Sequence, residues 1–293
     1  MPGTREVKIS YIVYLMALAT FSGSCQKSPK VITNLHKIST LSSLLNEVSG
    51  ITSFSGKELF AINDSGNKNV MFRLNSEGKI LEEIKLPETK NVDWEDLAYD
   101  HKQNIYVGDF GNNNNNRKDL TIYRISGIDS QQISTAKIHF SLEDQKKFPP
   151  KKKKMNYDIE AFIHLNGNLY LFSKNRSSKF EGATKLYKIP TTPGKHVAKL
   201  IGTYNTCSDP SDCFITGAAI NRKGDKIVLL TYNKLYVLSN FKGDQLFSGD
   251  IQKIKLNHFS QKEGVCFKDE NTLYITSEKT KHKKPKLYKF LLK

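Results

Sequence analysis

The chain has 293 residues, with 45 Lys and Arg against 29 Asp and Glu for a formal net charge of +16, and 38% of it is hydrophobic, including 13 Tyr and 16 Phe. That length holds one large domain as easily as two smaller ones. No stretch has the period or length of a bundle helix, which excludes a helical bundle and leaves an all-β chain whose apolar residues fill gaps between sheets.

Residues 1–24 have the form of a lipoprotein-type signal peptide: basic Arg5 and Lys8, then an apolar run, then Ser22, Gly23 and Ser24 leading into Cys25. The run is too short for the roughly 20 residues a spanning helix needs. The small residues before Cys25 resemble a bacterial lipobox, so the expectation is a lipid anchor on Cys25 and a location in the cell envelope. Residues 25–30 are polar, as a tether should be, and residues 31–293 form the folded body.

From there one ground plan recurs five times, most clearly over Asn91–Arg124. A polar residue opens a short strand; a polar turn, a second β-rich strand, a polar loop and a third strand follow. The other copies start near Glu47, Tyr157, Phe214 and Lys262, and connecting strands start at Lys79, Ala136, His196 and Asp250. Hairpin chemistry at Ser55-Gly56, Asn166-Gly167-Asn168 and Lys223-Gly224-Asp225 fits, because positive φ is cheap there. Val31–Ile38 precedes the first copy, and the last copy lacks a fourth strand. The economical solution is an all-β, five-bladed β-propeller of four-stranded antiparallel blades, closed by the N-terminal strand as a clasp beside Lys286–Leu292.

Cys207 and Cys213 bracket the loop CSDPSDC with no metal-pair spacing, and a local disulfide is expected. Cys266 lies in an apolar strand as a core thiol. Absence of a CxxC pair or a His cluster argues against zinc.

In a propeller the innermost strand of each blade starts on the face where the second strand ends. Ser49, Glu95, Glu160, Thr216 and Glu263 therefore ring the channel mouth, with Asn63, Asp64, Asp109, Lys174, Arg176, Tyr232 and Glu278 just outside. Carboxylates about 6 Å apart at an effective dielectric near 20 repel by roughly 3 kcal/mol per pair. Either protons or a cation must offset this. An all-oxygen set suits Ca²⁺ better than a transition metal, and Mg²⁺ would demand tighter octahedral geometry.

The inner-strand series Ser49 in EVSGI, Glu95 in DWEDLA, Glu160 in DIEAF, Thr216 in FITGA and Glu263 in EGVCF resembles that of the five-bladed calcium-activated nucleotidases, or soluble apyrases. That family carries Ser, Glu, Glu, Ser and Glu around a central calcium, an acidic pair matched by Asn63 and Asp64, and an arginine matched by Arg176. The series is also similar to SdiA-regulated and esterase-like phytase-type bacterial propellers. The resemblance implies metal ligands at Ser49, Glu95, Glu160, Thr216 and Glu263. The stretches between blades differ in length from the family's, so the resemblance does not place its nucleobase contacts on this sequence.

Positive charge gathers on the same face, at Lys151–Lys154 and at Lys279, Lys281, Lys283, Lys284 and Lys286. Lysines around a negative cup attract a small anionic ligand or glycan, while no nucleic-acid module is present. Two readings follow for an envelope monomer. One is a calcium-dependent hydrolase of phosphate-containing compounds, with Asp64 or Asp109 handling the attacking water and Lys174 and Arg176 stabilising charge. The other is a non-catalytic propeller with a structural calcium that binds a glycan or envelope partner. Trp94 is expected either to stack on a ligand or to pack in the core, and Asn112–Asn116 either to offer its amides to a ligand or, as the default, to form a mobile surface turn.

Overall fold

The structure is a computed structural model that describes residues 1, 3, 35–130 and 132–292. Apart from residues 1 and 3, the signal segment lies outside the described residues, as do Cys25, the tether and residues 31–34. Twenty strands and two short 3₁₀ turns (Ser43–Leu45 and Lys152–Lys154) make up the body.

Four sheets emerge from the pairing. The first meander contains β2 (Val48–Thr52), β3 (Glu58–Asn63), β4 (Val70–Asn75) and β5 (Ile80–Lys85). Next come β6 (Trp94–Tyr99), β7 (Ile105–Asp109), β8 (Thr121–Ser126) and β9 (Ser134–Leu142), followed by β10 (Asp158–Leu165), β11 (Asn168–Lys174), β12 (Ala183–Pro190) and β13 (Gly194–Asn205). β14 (Gly217–Ile220), β15 (Lys226–Leu230), β16 (Lys234–Ser239) and β17 (Asp250–Lys255) make a further meander. The last comprises β18 (Lys262–Phe267), β19 (Thr272–Ser277), β20 (Lys286–Leu291) and, at its outer edge, β1 (Leu35–Thr40). β1 runs antiparallel to β20 from Leu35 opposite Phe290 to Thr40 opposite Lys286, so the two ends of the described body meet in one sheet. The described part of this strand starts at Leu35 and continues two residues past the expected end at Ile38.

One pairing was not foreseen. The long strand β13 pairs with β12 through its second half, and its first half, Gly194–Ala198, runs parallel to Ile138–Leu142 of β9. Two meanders thereby fuse into one eight-stranded sheet.

The strand sequences explain the packing. In β3, Leu59 and Ala61 point into one apolar cluster while Phe60 and Ile62 point into the next, so the strand is buried on both faces. Each of the five apolar clusters is shared by two consecutive meanders, the last joining β18–β20 back to β2–β4. The first strands close the same cycle: β2 packs on β6, β6 on β10, β10 on β14, β14 on β18, and β18 on β2. The architecture is all-β and propeller-like. Gly56 and Gly224 take φ of 73° and 75° at their hairpin turns, as expected.

At the centre the channel narrows to about 20 Å³ of free space lined by Leu97, Phe162, Ala218 and Val265 among others. Asp96, fully buried, sits on this axis. Its carboxylate accepts from Leu97 N (2.8 Å), from Phe162 N on β10 (3.2 Å) and from Ala218 N on β14 (3.2 Å). One side chain thus ties three first strands together.

Candidate functional site: an acidic cup at the channel mouth

Four of the five ring residues named from sequence are extra residues in β-bulges. The register shifts between Val48 and Gly50, between Trp94 and Asp96, between Ile159 and Ala161, and between Lys262 and Val265. Ser49, Glu95, Glu160 and Glu263 occupy those gaps, and a bulge re-aims a side chain out of the normal alternation. Thr216, just before β14, donates its N–H to Leu230 O, the residue that also pairs with Gly217.

The five side chains do different work. Ser49 Oγ donates to Trp94 O (2.9 Å) and Thr216 Oγ1 to Lys262 O (2.6 Å), in each case the carbonyl just before a ring glutamate on the next meander. Glu160 is buried between Lys174 Nζ at 2.9 Å and an Arg176 nitrogen at 3.0 Å. Burial alone would raise its pKa, but these two cations overcome that and hold it below the ordinary value. Arg176 also clamps Asp158 at 2.6 Å. Glu263 is pushed up to about 8 by burial despite Lys174, and Glu278, bonded to Gln261, is pushed up to about 9 by burial and then by Glu263.

Glu95 gathers with two further acids. One oxygen from each of Asp64, Asp93 and Glu95 lies within 4.8 Å of the others. Among the described residues none of the three forms an ion pair. The consequence is electrostatic: burial raises all three, Glu95 strongly and with Glu160 adding to it, and Asp93 to about 7 with Asp64 adding to it. Gly111 closes the cluster. A Cβ there would stand 2.1 Å from Glu95 Oε1 and 2.5 Å from Asp93 Cγ, so only glycine leaves the carboxylates their place.

Neighbouring residues hold this loop. Asp109 accepts from Asp93 N (2.9 Å) and pairs with Arg117 (3.2 Å). Asn91 donates to Asn63 O (3.1 Å) and Asp64 O (2.8 Å) and accepts from Trp94 N (3.1 Å), which links the Asp64 turn to the Asp93 turn.

Several expectations change here. Asp109 is buried and bonded by Arg117 rather than standing free at the mouth. Lys174 is buried against Glu160 and is not presented to a ligand, whereas Arg176 keeps 28% of its side chain exposed. Trp94 is fully buried with its Nε1 on Lys90 O (3.0 Å), which makes it a core residue. The Asn112–Asn116 segment is not a loose turn. Asn112 N donates to Asp158 at 2.6 Å, and Asn115 Oδ1 accepts from Tyr157 N at 2.9 Å, so the loop bolts β7 to the start of β10. Asp93 and Gly111 were missed because their meeting depends on a close approach of two loops. Cys207 and Cys213 are disulfide-bonded, and Cys266 is a buried thiol.

The donor chemistry can be tested against a cation. Ca²⁺ binds oxygens at 2.3–2.6 Å, so ligands across one ion are up to about 5 Å apart. A triangle of oxygens within 4.8 Å of one another is compatible with that shell.

No family model and no curated protein matches this chain. Solved structures do. The PQQ-bound aldose sugar dehydrogenase of Streptomyces coelicolor aligns over 90% of this chain and 99% of its own, at 10% identity and a TM-score of 0.52. The fold is that of a β-propeller. A streptogramin B lyase (13% identity, 88% and 97% coverage, TM-score 0.48) and a gluconolactonase from Xanthomonas campestris (11%, 84% and 72%, 0.45) are more distant in shape. At these identities the likeness concerns the fold alone.

Proposed function

We propose that this chain is a five-bladed propeller of the cell envelope, anchored through Cys25, that holds one Ca²⁺ at Asp64, Asp93 and Glu95 and hydrolyses a phosphate-containing anion in the adjoining cup. The observation that carries the reading is the convergence of three carboxylates, none of which forms an ion pair among the described residues. When bound, the ion supplies a Lewis-acidic centre for a phosphoryl oxygen. Arg176 orients and stabilises the anion from the rim, because Asp158 and Glu160 fix its guanidinium while part of it stays exposed. Asp109, through Arg117 and Asp93 N, keeps the acidic loop in register. The resemblance of the inner-strand residues to the calcium-activated nucleotidases supports the same substrate class.

One observation favours the non-catalytic alternative: Asp109 and Lys174 are already engaged, which leaves few free groups for proton transfer. The experiment offers the purified chain nucleoside di- and triphosphates, phosphomonoesters and phosphodiesters with Ca²⁺. The hydrolase reading expects phosphate release that chelation abolishes and that falls about 10²-fold in Arg176→Ala. No turnover on any member, with calcium-dependent stability intact, would sink it in favour of the binding module.

A further inference from the structure

The connection between β9 and β10 carries Lys146, Lys147 and Lys151–Lys154, and this lysine-rich segment is held in place rather than free. Gln145 Nε2 donates to Asn115 O (2.8 Å), Lys154 N to Lys151 O (2.7 Å), Ser178 N to Lys152 O (3.1 Å) and Arg176 N to Met155 O (2.8 Å). The last two bonds set the segment directly beside the arginine of the cup. All six lysines are exposed. Among the described residues none of them pairs with a carboxylate, and only Lys146 Nζ has a partner, the Glu143 carbonyl.

A groove of about 410 Å³ opens here, lined by Lys146, Lys147, Lys151, Lys153, Lys154 and Tyr157. The one carboxylate on its wall, Asp144, is already neutralised by Lys185 Nζ at 2.5 Å and bonded by Tyr187 Oη at 2.8 Å. Five exposed lysines therefore line a concave space whose one carboxylate is already taken by Lys185. Like charges are brought together on an ordered backbone, and the entropy of gathering them is already lost on folding.

We infer that this groove is a binding site for a ligand carrying several closely spaced phosphate groups. Single-stranded nucleic acid lacks a stacking platform, because the only aromatic ring lining the groove, Tyr157, has Lys185 Nζ 3.8 Å from its centroid. A bilayer lacks a free apolar wedge, because Phe148 is half-buried with Lys118 over its ring at 5.3 Å. The site needs no metal, so it stands or falls apart from the calcium reading.

Inorganic tripolyphosphate is the probe, titrated calorimetrically into the purified chain with chelator present. Tripolyphosphate should bind at least tenfold tighter than orthophosphate. Lys147→Ala/Lys151→Ala/Lys153→Ala should weaken it at least tenfold, while Lys281→Ala/Lys283→Ala/Lys284→Ala, which removes the same charge elsewhere, should change it less than twofold. The matching triple Lys→Arg variant of the groove should retain binding. Equal losses in the two alanine variants would reduce the effect to net charge and overturn the site. So would tripolyphosphate no tighter than orthophosphate, or tighter binding to oligo(dT) or to phosphatidylglycerol vesicles.

Discussion

Replacing Asp96 by alanine should destabilise the fold more than any other single polar change near the axis. Its carboxylate accepts three backbone N–H groups, one from its own strand and one each from β10 and β14, and no other side chain accepts from those three donors. A buried donor left without a partner costs about 1–3 kcal/mol. Three would cost up to about 9 kcal/mol, but the channel's free space of about 20 Å³ has room for roughly one water, which can answer one donor. The expected loss in Asp96→Ala is therefore about 2–6 kcal/mol, a large part of the ~5–15 kcal/mol typical of a domain. Asp96→Asn keeps an oxygen for Phe162 N and Ala218 N but sets a donating amide against the Leu97 N–H, so one donor loses its partner and the loss should be about 1–3 kcal/mol. Equilibrium urea unfolding with the midpoint and slope fitted separately measures both. If Asp96→Ala unfolds within about 0.5 kcal/mol of the parent, the axial tie does not hold the ring and the reasoning fails.

Two further perturbations test the electrostatics and the covalent tie. Burial holds Glu278 protonated up to about pH 9 in the folded state against 4.5 for the free group, so the folded state binds the extra proton between those values. Stability without added cation should then fall as pH rises through this window, by up to about 1.4 kcal/mol per pH unit for that proton, and Glu278→Gln should flatten the fall in urea midpoints measured from pH 5 to 9. An unchanged slope in the variant would assign the titration elsewhere. The Cys207–Cys213 bridge spans a sequence separation of 6, a short loop, so the Cys207→Ser/Cys213→Ser double variant should lose about 2 kcal/mol in the same unfolding assay. No loss would show that the loop is held without the bridge, by Thr206 Oγ1 donating to Cys213 O (2.7 Å) and by Lys234 paired with Asp212.

What could be read from the sequence was whatever repeats or lies close in the chain. The doubly buried strands were legible because runs such as ELFAIN and IYVGD are apolar on both alternating faces. The placing of Glu95, Glu160 and Glu263 near one another was legible because each opens the same strand of its copy, and Glu160 adds to the raised pKa of both Glu95 and Glu263. The division of labour among them was not. Whether a ring glutamate meets Lys174 or Asp93 depends on which bulge turns it and which loop approaches, and neither leaves a local pattern. Asn112–Asn116 has the composition of a free loop, and only Asp158 and Tyr157, more than forty residues on, make it rigid. The parallel contact of β9 with β13 is likewise a long-range pairing with no sequence mark. Asp96 did leave one: an acid within WEDLAY, a strand buried along nearly its whole length, must have a partner there.

The central claim is that Asp64, Asp93 and Glu95 hold a calcium ion, and thermal unfolding of the purified chain against Ca²⁺ concentration tests it most directly. Stabilisation should follow RT ln(1 + [L]/Kd), reaching about 2.7 kcal/mol at a hundredfold excess over Kd, and chelator should remove it. Gly111→Ala, whose Cβ would stand 2.1 Å from Glu95 Oε1, should fold but lose that response, as should Asp93→Asn. Melting curves that coincide in Ca²⁺ and in chelator, or a full calcium response in both variants, would contradict the account.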